Sequence, residues 1–208
     1  MRSAEYFNTI ADKWNVIREE YFDDKLKKIV IDEKNIKGKI GADLGCGTGF
    51  ISLALAEKAQ IVFSLDHSKN MLRELNKDAK KKGYKNVFPI HGNMENIPFF
   101  DDSMDFVYTN MALHHIESPE KTIQESFRIL KKDGKVVISD VEKHDGEWAK
   151  SEMHDAWLGF SDEELITWFE KAGFEDISIQ RSGLFCQGYS SQGEYTKAGI
   201  FIARATKN

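Results

Sequence analysis

The chain has 208 residues and a formal charge of −5, with 29 Lys and Arg against 34 Asp and Glu. Its 41% hydrophobic and 30% charged residues are those of a soluble globular domain, which excludes disordered, collagen-like and coiled-coil classes. With no basic excess to coat a phosphate backbone, nucleic acid is not an expected partner, and Lys80-Lys81-Lys82 reads as a solvated helix end that complements the dipole.

Two cysteines, Cys46 and Cys186, form neither a disulfide framework nor a zinc pattern, so no metal site is expected and a reducing, cytoplasmic setting is. The first residues carry no apolar signal-peptide core. The longest uncharged run, Leu44 to Ala56, is 13 residues, short of the about 20 that a membrane span needs.

Glu5 to Ile31 carries Phe7, Ile10, Trp14, Ile17, Tyr21 and Phe22 at helical spacing. Ile40 to Leu44 reads as a short buried strand, Ile51 to Lys58 as a helix, and Ile61 to Leu65 as the next strand. A helix from Ser68 to Lys82 ends at Gly83, followed by strands at Asn86–Ile90 and Met104–Tyr108. Ser118-Pro119-Glu120 opens a helix whose buried face is Ile123, Phe127 and Leu130; Lys131 to Gly134 close it before a β-branched strand, Lys135 to Ser139. Glu147 to Leu158 has the pattern of a short helix stopped by Gly159. Ser161 and Glu164 fit a capping box for a helix ending at Gly173, and strands follow near Ile177–Gln180 and Ala198–Ala205. Alternating strands and helices predict a mostly parallel sheet covered on both faces, with ligands at the carboxyl ends of the strands.

The segment Asp43-Leu44-Gly45-Cys46-Gly47-Thr48-Gly49-Phe50 leaves a strand and opens a helix. A dinucleotide fingerprint needs a third glycine where Phe50 stands, and Asp43 would oppose a pyrophosphate. The same carboxylate suits a cationic group, and Asp66, ending the next strand, suits ribose hydroxyls. The loop therefore reads as binding a nucleoside with positive charge and no diphosphate, which S-adenosylmethionine (SAM) fits. An NAD(P)-dependent oxidoreductase is disfavoured by the same two residues, and a SAM-binding sensor or scaffold without catalysis is the other alternative.

Asp43 to Gly49 and Leu65-Asp66-His67-Ser68 are followed by Gly92 to Phe99, Asp105-Phe106-Val107, Ala112-Leu113-His114-His115-Ile116 and Arg128-Ile129-Leu130-Lys131. In this order, residues 40–140 resemble class I SAM-dependent methyltransferases of the small-molecule, type 11 branch that includes the ubiquinone and menaquinone enzymes. The resemblance implies an α/β, Rossmann-like fold with a mostly parallel seven-stranded sheet and helices on both faces. It further implies a single domain over 1–208, with an N-terminal helical cap at 1–39 and a lid insertion at 141–160. SAM would be the cofactor and S-adenosylhomocysteine the product, the partner a small methyl acceptor, and the protein a monomer or homodimer. By resemblance, Asp43, Gly45, Cys46, Gly47 and Gly49 line the methionine part, Asp66 holds the ribose and His67 lies beside the adenosine. Asn93, where the family usually has Asp, and Met94 would meet the adenine, and Asn110 would sit near the methionine.

Methyl transfer from a sulfonium needs alignment of donor and acceptor, and a base only where the acceptor must lose a proton. Three candidate catalytic residues follow: His115 after the fourth strand, Asp140 ending the fifth, and His154 in the insertion. Asp155 and Trp157 are further candidates to face the substrate, and Tyr6 and Trp14 to wall the pocket. Residues 142–160 also resemble a stretch in a sub-branch of the family, some members of which carry arsenic-repressor-type DNA-binding domains.

Overall fold

The computed structural model describes residues 3–208. Four short helices, α1 (Ser3–Ile10), α2 (Trp14–Tyr21), α3 (Leu26–Val30) and α4 (Glu33–Ile36), precede strand β1 (Ile40–Leu44). The continuous helical spacing of this region is thus broken into pieces. Lys13 and Lys25 begin α2 and α3 without a side-chain cap, while Asp32 caps α4 by accepting the Lys34 N–H. Helix α5 (Ser52–Leu55) is shorter than its pattern predicts.

Strand β2 (Ile61–Asp66), helix α6 (Lys69–Lys81), and strands β3 (Val87–His91) and β4 (Met104–Asn110) follow. Ser68 caps α6 by accepting the Met71 N–H, and Met71, Leu72, Leu75 and Ala79 form its buried face. Helix α7 (Pro119–Ile129) passes directly into β5 (Leu130–Val141). Leu130 therefore leaves the helix face and pairs with Met104 at the start of the strand. Helix α8 (Trp148–Glu152) is followed by α9 (Asp162–Ala172), whose capping box is formed and whose end is Gly173 at φ 98°. A long hairpin, β6 (Glu175–Tyr189) and β7 (Tyr195–Lys207), completes the chain.

The seven strands lie in the order β3-β2-β1-β4-β5-β7-β6. Pairs from β3 to β5 are parallel, and β7 runs antiparallel to both β5 and β6, so the sheet is mixed. Central strands are buried on both faces, as the apolar runs of β1 and β4 require. Val107, Val136 and Ile138 pack on one face with α7 and α9, while Phe106, Tyr108 and Val137 pack on the other with α3, α4 and α5. Strand order reverses between β1 and β4, whose carboxyl ends open the crevice where this architecture binds ligands.

Two segments differ from expectation. The helix expected over 147–158 stops at Glu152, because the following backbone finds better partners elsewhere. Ala156 and Trp157 donate their N–H groups to the His114 carbonyl at 2.9 and 3.0 Å, and His154 takes φ 59°. Residues 182–195, expected outside the sheet, mostly extend the β6–β7 hairpin. Residues 141–160, expected as a lid insertion, form an excursion pinned at its base: Glu142 bridges Phe160, and the His144 N–H donates to the Leu158 carbonyl at 3.0 Å. Among the described residues, no helix is long and apolar enough to cross a membrane.

Candidate active site

At the crevice between β1 and β4 lies a cavity of about 880 Å³. Gly45, Cys46, Gly47, Asp66, His67, Asn93, Met94, Asn110 and His115 all line it, brought together from the ends of four strands. Glycine is required at the turn itself. Gly45 has φ 66°, and a Cβ there would stand 2.5 Å from the Ala112 Cβ. Gly47 has φ 52°, and the space a Cβ would take faces the Trp14 indole.

Asp66 accepts the Gly47 N–H at 2.8 Å and the Ser68 N–H at 2.7 Å, so its carboxylate braces the loop and keeps lone pairs for hydroxyl donors. Asn93 accepts the Glu95 N–H at 2.9 Å in an Asx turn, which leaves its carbonyl one acceptor position. Asn110 accepts the Ser139 hydroxyl at 2.6 Å.

Asp43 and Gly49 do not line the cavity. Asp43 is buried behind the loop and accepts the Ser52 hydroxyl at 2.6 Å. Burial raises its pKa to about 7, against the lowering effect of the Ser52 bonds and with a further push from Asp66. A Cβ on Gly49, at φ 94°, would collide with Leu75 on α6, so this glycine serves close packing of the loop on that helix.

The N-terminal helices close the cavity. Trp14 and Phe7 line it and pack edge to face, 5.1 Å between centroids, and Phe7 packs in the same way on His115 at 4.9 Å. Asn8 accepts the Ser68 hydroxyl at 2.8 Å, and Asn15 accepts the Thr48 hydroxyl at 2.6 Å. Tyr6 packs instead against His154 and donates to the Met153 sulfur.

Arg18, on α2, lines the cavity and was not singled out by sequence reasoning. It is 5% exposed, its Nη2 meets Asp24 at 3.0 Å, and its Nε and Nη1 are buried with no hydrogen-bond partner. A buried guanidinium with idle donors is costly unless an anion completes it. The sequence signal was its position four residues after Trp14, on the same helical face. Met111, at φ 51° after β4, also lines the cavity and had no local signal.

The catalytic candidates separate. His115 lines the first cavity. Asp140 is wholly buried beneath it and accepts the His114 Nδ1–H at 2.5 Å and the Leu113 N–H at 2.9 Å, so it positions His114 and does not face the cavity. His154 lines neither this cavity nor the next. Trp157 packs with Phe160 and Trp168 and donates to the Ile116 carbonyl, away from both. Asp155 stands 3.1 Å from His115 Nδ1 and 3.9 Å from His114 Nε2. Burial and then the charge of His114 lower the His115 pKa, so its imidazole is neutral at pH 7. Burial opposes charge on His114 too, but Asp140 and Asp155 outweigh it and raise the pKa to about 9.

A second cavity, about 610 Å³, shares Trp14, Phe22 and Met111 with the first. Its walls are mainly apolar: Tyr21, Val141, Trp148, Met153, Cys186 and Ala198, with Asp155, His144, Gln187 and Thr196 as polar members. The hairpin thus contributes to this site through Cys186. Burial pushes that thiol up to about 12, so it is an inert wall.

A sequence profile described as "Methyltransferase domain" matches residues 42–138. Demethylmenaquinone methyltransferase from Geobacillus sp. is 32% identical over 173 residues, covering 69% of this chain and 74% of that protein. The chloroplastic 2-methyl-6-phytyl-1,4-hydroquinone methyltransferase of Spinacia oleracea is 30% identical over 175 residues, 81% of this chain and 49% of that protein. The chain spans about half the length of such plant relatives. Among solved structures, the [4+2]-cyclase SpnF superposes with a TM-score of 0.77 at 16% identity, over 100% of this chain and 97% of that one. This last likeness shows the fold alone.

Proposed function

From the premise that this chain belongs to the class I SAM-dependent methyltransferases, with SAM as its cofactor, we propose that it methylates a small, largely apolar ring compound through an ionisable heteroatom or ring carbon. The observation that carries this reading is the pair of neighbouring cavities that share Trp14, Phe22 and Met111: one built on the glycine loop with polar and charged groups, the other mainly apolar.

The residues present fit SAM. The cradle at Gly45 and Gly47 admits close backbone approach, the Asp66 carboxylate retains acceptor capacity, and the idle Nε and Nη1 of Arg18 suit the methionine carboxylate. Asn93 and Met94 are read as the adenine contacts, His67 as the adenosine neighbour, and Asn110 with Cys46 as walls of the methionine end. Asp43 and Gly49 act behind the loop by shaping it. When bound, SAM supplies a methyl carbon already activated by the sulfonium.

The protein's own work is alignment and water exclusion. Phe7, Trp14 and the apolar second cavity exclude water. The acceptor's proton is lost at the cluster of His115, His114 and Asp155, which stands between the cavities, with Asp140 as a positioning residue through His114. The names of the quinol methyltransferases among the relatives support an aromatic hydroxyl compound as acceptor. We read the enzyme as a cytoplasmic monomer or homodimer.

Calorimetry with SAM, S-adenosylhomocysteine and NAD tests the premise: the first two bind and NAD does not. Methyl-labelled SAM is then offered with panels of hydroquinones, amines and thiols, and label is expected in the hydroquinones. Label confined to amines or thiols overturns the acceptor class. Failure of both sulfur nucleosides to bind overturns the whole reading.

A further inference from the structure

We propose that His114, His115 and Asp155 form a binding site for one divalent transition-metal ion of the zinc type, set in the wall between the two cavities. One donor atom from each residue belongs to a group whose members all lie within 4.8 Å of one another. Asp155 Oδ1 is 3.1 Å from His115 Nδ1 and 3.9 Å from His114 Nε2. A tetrahedral ion with bonds of about 2.0–2.1 Å spaces its ligands by about 3.3 Å, so the donors already stand near the edges of such a shell.

Satisfaction of the donors points the same way. His115 Nδ1 and Asp155 Oδ1 are 3.1 Å apart, yet both are buried without a partner in hydrogen-bond geometry. The Asp155 side chain is only 8% exposed. Buried polar atoms are nearly always satisfied, and two neighbouring orphans, one of them a carboxylate oxygen, call for a cation.

The second layer is built as well. His114 donates its Nδ1–H to Asp140, which also accepts the N–H groups of Leu113 and Val141. A carboxylate behind an imidazole fixes its tautomer and turns the other nitrogen, here Nε2, outward as a ligand. The loop carrying Asp155 is held to the same backbone by the two N–H bonds to the His114 carbonyl.

Two imidazoles and one carboxylate favour Zn²⁺, Co²⁺, Ni²⁺ or Fe²⁺ over Mg²⁺ or Ca²⁺. Three protein ligands leave a position open for an outside oxygen or sulfur. His115 lines the first cavity and Asp155 the second, so that open position would take the acceptor's hydroxyl and lower its pKa. This last role rests on the methyl-transfer reading; the metal site does not.

The test measures metal directly. After treatment with EDTA, the protein is dialysed against Zn²⁺ and counted, then titrated with Co²⁺ and followed by its visible absorption. One Zn²⁺ per chain is expected, with intense four- or five-coordinate Co²⁺ bands. His114→Gln and Asp155→Asn should lower affinity by at least about 100-fold, and Asp140→Asn by about 10- to 100-fold. Should His114→Gln not fold, the isosteric Asp155→Asn carries the test. His91→Gln removes the exposed His67–His91 pair, whose rings lie 5.8 Å apart, and should change nothing. No stoichiometric uptake, or uptake unchanged in Asp155→Asn, overturns the proposal. SAM calorimetry on the same samples separates the two readings: metal uptake without SAM binding upholds the site and sinks methyl transfer.

Discussion

The guanidinium carbon of Arg18 lies 4.3 Å from the centroid of the Phe50 ring. Phe50 stands where a dinucleotide loop would carry its third glycine, and here its ring beds a buried cation. The substitution that excludes one cofactor thus equips the site for another. Removing the charge with Arg18→Gln should weaken SAM by about 10- to 100-fold, the range of hydrogen bonds to charged groups at about 1.5–3 kcal/mol. Phe50→Leu, which leaves the charge but removes its bed, should cost only a few-fold. Calorimetry reads both, and unchanged affinity in Arg18→Gln removes it from the site.

Asp66 braces the glycine loop and is the residue proposed to hold the ribose. Its carboxylate holds the Gly47 and Ser68 N–H groups while facing the cavity. Asp66→Ala should weaken SAM by one to two orders of magnitude, about 1.5–3 kcal/mol. Retained affinity would contradict the ribose assignment.

For Asp43 the sign of the pH effect follows from its raised pKa. An ordinary carboxyl titrates near 4, whereas burial, partly offset by Ser52 and increased by Asp66, brings this one to about 7. Between these values the folded protein binds the extra proton, so the Asp43 contribution to stability falls as pH rises from about 4 to about 7 and stays low above that. Asp43→Asn should flatten this part of the profile and raise the melting temperature at pH 8 relative to pH 5. Thermal melts without ligand at both values measure it; an unchanged difference between the two pH values would refute it.

His115→Asn should reduce turnover by about 10²- to 10⁴-fold, with SAM affinity within a few-fold of the wild type. Single-turnover methyl transfer separates the two quantities. Undiminished turnover would exclude His115 from proton removal.

Cys186 faces the apolar cavity from the hairpin, two thirds of the chain away from the cofactor loop. Filling that space with Cys186→Phe should raise the acceptor KM by at least tenfold and leave SAM binding intact. Equal losses in both would mean that the second cavity does not hold the acceptor.

Much of this was legible because it is local. The loop from Asp43 to Phe50, the Ser68 cap and the Ser161–Glu164 capping box are each written within a few residues, and the structure places them at element ends. What escaped depends on distance along the chain. Asp155 reaches His114 and His115 from forty positions away, through backbone bonds that also end α8 early. Arg18 reads as one more charge on an amphipathic helix until Phe50 comes beneath it. The hairpin's length was hidden because alternate residues of β6 are exposed, which weakens its apolar pattern.

The bonds from Asn8 to Ser68 and from Asn15 to Thr48 tie α1 and α2 to the turns that follow β2 and β1. Asn8 also accepts the Asn70 N–H and, on its carbonyl, the Asn70 side-chain amide, and Asn15 donates to Asp78, so at about 0.5–1.5 kcal/mol each these bonds together hold several kcal/mol. The two asparagines thus stitch the N-terminal helices to the crevice, one to each turn, so that its cover is fastened rather than merely laid over it.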